Sequence, residues 1–393
     1  MREKHSTINI GYGVTVLARG LNSHGIDGIG TYTQSLAHGL LATETHQLTP
    51  VSFNAEFQRF EHKASPSRSP APLILPRFDA QALASTLLPI EFFSAKRLMK
   101  SDISLFHATD HLVPKLKNIP VVATIHDTIP LSHPAWIKSH LRQLKLNIWK
   151  KTIGWANHII TISEYSKHCI IKHLNIADDQ ISVIHPGVGK PHFEKVDTHI
   201  LENTLKKWNL DPGFFLFIGT LQPRKNLKQL ISAHAKLNTS LRRKHPLVLV
   251  GRAGWNCDEE IAALKSLETA GVARWLNYLP DDELQALKQS ALALTFPSLA
   301  EGFGLPVIEA FAAELPVICS NTTSLPEVAK DAALLIDPDS CASIHSAMLH
   351  LIHEPALRRQ LRERGLMRAQ DFSWETCAKE TLAVYAAVLK QNY

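Results

Sequence analysis

Short apolar runs alternate along this chain with longer stretches in which apolar residues recur every three or four positions. In the first half, Gln47–Phe53, Ile103–Phe106, Val121–Ile125, His158–Ile162 and Ile181–Ile184 predict strands, and Ile8–Leu17 contains another. Ile29–Leu41, Trp136–Gly154 and Glu164–Leu174 predict helices. The pattern restarts with strands over Phe214–Ile218, Pro246–Val250, Ala291–Phe296, Pro316–Ser320 and Ala332–Ile336, and helices over Leu227–Asn238 and Asp258–Ala270. Such alternation predicts α/β architecture, with parallel sheets covered by helices on both faces.

Between the halves, His185–Lys195 (HPGVGKPHFEK) has two prolines, two glycines and no apolar periodicity, and predicts a hinge. The expected plan is two doubly wound, Rossmann-like domains facing across a cleft, over 1–190 and 191–372. A last helix follows over 373–393, with Ser373 as its N-cap. Ligands of such sheets gather beyond the carboxyl ends of the strands. Residues Glu61–Pro76, dense in Ser and Pro, predict a long loop.

Composition narrows the partners. With 45% hydrophobic and 20% charged residues over 393 positions, the chain can bury a large core and is neither disordered nor collagen-like. A net charge of +6 suits a phosphate-bearing ligand or an anionic membrane surface. No zinc-finger or RRM-type motif accompanies the charge, so no nucleic-acid partner is expected. Five scattered cysteines, never spaced CxxC, predict reduced thiols in a cytoplasmic protein. Neither a secretory leader nor a membrane-spanning run of about 18 apolar residues is expected.

Residues 297–326, PSLAEGFGLPVIEAFAAELPVICSNTTSLP, hold the densest candidate chemistry. Glu301 and Glu309 flank Gly302-Phe303-Gly304, Leu305 and Pro306. Glycine lets backbone approach a ligand, and proline suits the first turn of a helix. The unpaired amides of that turn can take an anion or a hydroxyl. In Phe217–Asn226 (FIGTLQPRKN) a strand ends at Gly219, and Arg224 and Lys225 precede a helix start. Two cations there oppose the helix dipole, which suggests a bound anion such as a diphosphate; a solvated pair is the plain alternative. Gly28 and Gly30 in GIDGIGTY lead into a helix, either as a phosphate cradle or as a turn. His126, in TIHDTIPL, ends an apolar strand and can donate to a sugar hydroxyl or phosphate, or simply sit beside a capping Asp127. His107 and His111 lack a consistent set of metal ligands. Asp337-Pro338-Asp339 spells DxD but stands where turn and cap aspartates are expected. In Ile137–Trp155, five cations accompany Leu141, Leu144, Ile148, Trp149 and Trp155; this helix either lies on an anionic bilayer or packs its apolar stripe on the sheet.

Taken together, EGFGLPVIE, GTLQPRKN, GIGTYT, IHDTIPL and the closing FSWE resemble glycosyltransferase family 4, retaining enzymes of the GT-B fold, and within it bacterial mannosyltransferases of O-antigen and exopolysaccharide assembly. The resemblance implies transfer of a hexose, foremost mannose from GDP-mannose, to a hydroxyl of a glycan or lipid-linked acceptor. It implies that Glu309 binds the donor ribose and that Glu301, with amides around Gly302–Leu305, contacts the transferred sugar. Arg224 and Lys225 would bind the diphosphate, His126 the sugar or its phosphate, and Gly28 and Gly30 would approach the diphosphate and acceptor. No metal or other cofactor is implied, and the last helix is expected to return to the N-terminal domain. Two departures stand out: Gln222, where relatives often carry Glu, and Thr220, where many carry a phosphate-binding Arg. Arg252 of VGRAGW is then a candidate to share the phosphate charge. These departures also leave open a non-catalytic nucleotide-sugar-binding or scaffold subunit, and a nucleotide-sugar epimerase of similar fold.

Overall fold

The structure is a computed structural model that describes residues 8–391 apart from 24, 44, 59, 61–68 and 137–140. Most of the Ser/Pro-rich part of the expected loop, and the start of the basic helix with Lys138, lie outside the described residues. The chain divides into two compact units, Met1–Gly187 with Ser373–Tyr393, and Val188–Phe372.

The first unit is built on β1 (Ile8–Gly13), β2 (His46–Phe53), β3 (Leu73–Leu75), β4 (Leu105–Ala108), β5 (Val121–Ile125), β6 (His158–Thr161) and β7 (Ile181–Val183). Their order is β3-β2-β1-β4-β5-β6-β7, with every neighbouring pair parallel. The second carries β8 (Phe215–Ile218), β9 (Leu247–Val250), β10 (Ala273–Leu276), β11 (Ala293–Phe296), β12 (Val317–Ser320) and β13 (Leu334–Ile336). Their order is β10-β9-β8-β11-β12-β13, again all parallel. Central strands such as β5, β9 and β11 are buried at every position, because helices cover both faces of a parallel sheet.

The structure corrects several sequence expectations. The run Ile8–Leu17 does contain the expected strand, Ile8–Gly13, and its end opens a helix, Thr15–Ser23. Leu73–Leu75 forms the edge strand β3 inside the expected loop. Trp136 belongs to a short 3-10 turn, Pro134–Trp136, and the basic helix runs Arg142–Ile153. Helices Phe78–Leu87, Thr198–Trp208 and Asp281–Ser290 and strand β10 were not anticipated. The units meet in sequence at Gly187/Val188, ahead of the expected 190/191.

The closing helix, Trp374–Gln391, packs on the helix Gly28–Ala42 of the first unit. The Ser373 hydroxyl caps it, accepting from Glu375 N at 3.1 Å. Gly187 permits the contact, since a Cβ there would lie 2.1 Å from Trp374 N. Deeper in, the Tyr385 hydroxyl meets His107 Nδ1 at 2.6 Å, and His107 Nε2 meets Thr124 Oγ1 at 2.8 Å. Burial, with His126 nearby, drives the His107 pKa down to about 3, so this neutral ring is a structural tie between sheet and helix.

Candidate active site

In the second sheet, β8 leads outward to β9 and β10, while β11 leads the other way to β12 and β13. The switch point between β8 and β11 is where doubly wound sheets leave a crevice for ligands. Two loops rise there, Gly219–Asn226 after β8 and Pro297–Gly304 after β11. They are laced together: Leu299 N donates to Arg224 O at 2.8 Å, and Asn226 Nδ2 donates to Pro297 O at 3.1 Å and Pro338 O at 2.7 Å. Asn226 adopts left-handed geometry (φ 58°), which sets the turn into the helix Leu227–Ala235. Gly219 (φ 147°) leaves room for the Lys225 side chain to fold back; a Cβ would lie 3.3 Å from Lys225 Cε.

This lacing brings three charges together. Glu301 Oε1 accepts from Lys225 Nζ at 2.6 Å, and Oε2 pairs with Arg224 Nη1 at 2.7 Å. Arg224 Nη1 also donates to Ala300 O. With its amide oxygen turned to the guanidinium, Gln222 accepts from Arg224 Nη2 and Nε at 3.2 Å each. The neutral side chain noted as a departure thus orients Arg224 without cancelling its charge. The Lys225 ammonium lies 4.3 Å over the Phe296 ring. Burial pulls the Lys225 pKa down to about 8, with Arg224 adding to the effect and Glu301 opposing it. For Glu301, burial pushes upward, but Arg224 and Lys225 outweigh it and hold the carboxyl at about 2. Two cations against one carboxylate leave a net positive cluster. Both Glu301 oxygens are engaged by it, so this acid holds the cations in place.

Gly304 (φ 107°) then turns the chain into the helix Leu305–Ala312. A Cβ at 304 would lie 2.7 Å from Leu325 Cδ2. Phe303 is buried edge-on against Phe372, and the Ser324 hydroxyl donates to Glu301 O and Phe303 O, fixing the backbone around Gly302. One turn into the helix, Glu309 Oε2 accepts from Lys288 Nζ at 2.8 Å. Burial raises the Glu309 pKa, but Lys288 and His192 more than offset it, so the net shift is downward. Sequence reasoning missed Lys288: in DDELQALKQS it looks like a solvated lysine. Arg252 sits 5.5 Å over the Tyr278 ring, and its Nη2 is buried without a protein partner.

His126, Gly28 and Gly30 lie in the first unit. His126 Nε2 donates to Thr109 O at 2.8 Å, and the ring meets Tyr32 edge-on at 4.7 Å. Burial, then His111, lowers its pKa to about 4. The neutral ring therefore presents Nδ1 as an acceptor, whereas the sequence suggested a donor. Gly30 N donates to the Asp27 carboxylate at 2.8 Å, so an N-cap already takes that amide. Asp110, two residues beyond β4, is a buried acid absent from the expected set; it accepts from Val16 N at 3.1 Å, and burial raises its pKa. Asp339 N donates to Asp337 Oδ1 at 3.0 Å, so the DxD forms a turn.

Two all-parallel, doubly wound units with this cationic switch point define a GT-B glycosyltransferase. The chain belongs to glycosyltransferase family 4: the model of that family matches residues 26–189, and that of glycosyl transferases group 1 matches 202–367. It is 33% identical over 287 residues to O-antigen chain mannosyltransferase B of Escherichia coli, covering 72% of this chain and 74% of that protein. It is 29% identical over 285 residues to the serotype-specific mannosyltransferase WbdA of Escherichia coli, covering 70% of this chain but 34% of that longer relative. Among solved structures, sucrose-phosphate synthase from Thermosynechococcus elongatus superposes with TM-score 0.74 at 20% identity, over 98% of this chain and 100% of that one. WaaG, a glycosyltransferase involved in lipopolysaccharide biosynthesis, superposes with TM-score 0.69 at 15% identity, over 96% and 98%.

Proposed function

We propose that this glycosyltransferase moves mannose from GDP-mannose to a hydroxyl of a glycan or lipid-linked saccharide, with retention of anomeric configuration. The observation that carries the proposal is the Arg224–Lys225–Glu301 cluster, a net positive charge fixed at the switch point. As the C1–O bond to phosphate breaks, negative charge grows on the diphosphate. Cations already in place stabilise that charge more in the transition state than in the ground state. The acceptor oxygen bonds to C1 from the face the diphosphate leaves, and the departing phosphate oxygen takes the acceptor's proton. Arg224 and Lys225 would do the work a divalent ion does elsewhere, Glu309 would hold the ribose, and the amides of Gly302–Leu305 the sugar. Arg252, with its unpartnered Nη2, would add a donor to the phosphates. The mannosyl assignment is supported by the names of the curated relatives.

A cytoplasmic location with peripheral contact at the inner membrane face fits a lipid-linked acceptor. No helix among the described residues is long and apolar enough to cross a membrane. In the helix Arg142–Ile153, Leu146 and Ile153 are buried, while Leu144 and the preceding Leu141 are exposed beside Arg142 and Lys145. The exposed pair supports the bilayer role. Purified protein with GDP-, UDP- and ADP-sugars and a lipid-linked acceptor provides the test, with the product anomer read by NMR. GDP-mannose should turn over and give an α-linked product. A preference for a UDP- or ADP-sugar, or an inverted product, would overturn the proposal.

A further inference from the structure

Lys288 is 1% exposed, a lysine taken almost wholly out of water. Holding an ammonium there is costly unless it is paired, and a well-packed apolar side chain is often as stabilising as a buried ion pair. Stability alone therefore gives little reason for this residue. Its two neighbours do. The Nζ donates to Glu309 Oε2 at 2.8 Å, and His192 Nδ1 lies 3.4 Å away as a second acceptor. Gln285 Nε2 in turn donates to His192 O at 2.7 Å, tying that ring's backbone to Lys288's own helix, Asp281–Ser290.

The two acids of the site are held differently. Glu301 has both oxygens occupied by cations. Among the described residues, the Glu309 carboxylate has only Lys288 as a hydrogen-bond donor, on Oε2, and its side chain keeps 18% exposure. A carboxylate anchored through one oxygen from the buried side leaves the other to accept from a ligand. We propose that Lys288 is a positioning residue for the donor nucleotide: its buried ion pair fixes the Glu309 carboxylate so that Oε1 faces a vicinal diol of the ligand's pentose. The proposal rests on Glu309 being the ribose-binding group.

The test is calorimetric binding of GDP and of 2′,3′-dideoxy-GDP to the wild-type protein and to Glu309→Gln, Lys288→Met and Lys288→Arg. Hydrogen bonds to a charged acceptor predict a wild-type preference for GDP of about 10–100-fold. Glu309→Gln and Lys288→Met should each lose most of that preference by weakening GDP alone, with dideoxy-GDP affinity unchanged. Lys288→Arg should recover part of it, and in turnover the Lys288→Met defect should fall on KM for the donor more than on kcat. If Lys288→Met keeps the wild-type preference while Glu309→Gln loses it, the lysine is only structural and the proposal fails. If the wild type shows no preference, or Glu309→Gln retains it, the ribose assignment fails and takes the proposal with it. Should Lys288→Met not fold, Lys288→Gln is read in the same way; the double variant Lys288→Met/Glu309→Gln, which buries no unpaired charge, shows whether the site tolerates the apolar side chain.

Discussion

Glu301→Gln preserves the size of the side chain and removes only its charge. In the folded protein, Lys225 is pulled by burial to about 8 and held there against further decline by the Glu301 carboxylate 2.6 Å away. An opposite charge at such range supports the protonated form by about 1–3 pH units. At pH 7 the native lysine is roughly nine-tenths protonated; a loss of about 2 units would leave roughly one-tenth. The ammonium proposed to stabilise the leaving diphosphate would thus be mostly gone at neutral pH, and kcat/KM should fall about tenfold from protonation alone. The assay is kcat/KM for donor against pH from 6 to 9, with circular dichroism confirming the fold. The wild type should lose activity as pH rises through about 8, and the variant should show the same loss at lower pH, recovering activity as the medium is acidified. Stability should fall too, by about 3 kcal/mol, the lower end for breaking a buried pair, because Arg224 is 24% exposed and partly resolvated. A folded variant whose basic limb stays at the wild-type pH would refute the reasoning.

Gly304→Ala should lower stability by about 1–3 kcal/mol in urea denaturation, from its left-handed backbone and the close Leu325 methyl; an unchanged midpoint would contradict the turn geometry. Tyr385→Phe deprives His107 of a buried partner and should cost about 1–3 kcal/mol, read the same way. Glu301 and Glu309 have folded pKa values below the ordinary carboxylate range, so their contribution to stability is complete above that range and is lost as pH falls, toward about 2 for Glu301. Lys225 changes stability in the same sense over a higher range: its lowered value makes stability rise as pH climbs above about 8, where activity should fall. Transfer should survive EDTA, and activity restored only by added divalent ion would argue against cationic side chains as the leaving-group stabilisers.

Much of the second unit's site could be read from sequence because its chemistry is local. Gly304-Leu305-Pro306 dictates a turn into a helix, and Pro223-Arg224-Lys225-Asn226 places its cations at a strand end. What could not be read depends on distant packing. Lys288 is a buried anchor only because Glu309, on another helix, meets it at 2.8 Å. His107, weighed in sequence only beside His111, finds its partner in Tyr385, 278 residues away. The boundary inside Ile8–Leu17 was hidden because a short, mostly apolar run does not distinguish a buried strand from a buried helix. Leu73–Leu75 is too short for periodicity and is a strand only because β2 pairs with it.

The central claim is that the donor's diphosphate binds at the β8/β11 switch point of the second unit. A crystal structure of the complex with GDP-mannose tests it most directly. Phosphate oxygens within hydrogen-bonding distance of Arg224 and Lys225, with the ribose on Glu309, are predicted. A fully occupied nucleotide bound elsewhere, with Arg224 and Lys225 contacting only Glu301, would contradict it.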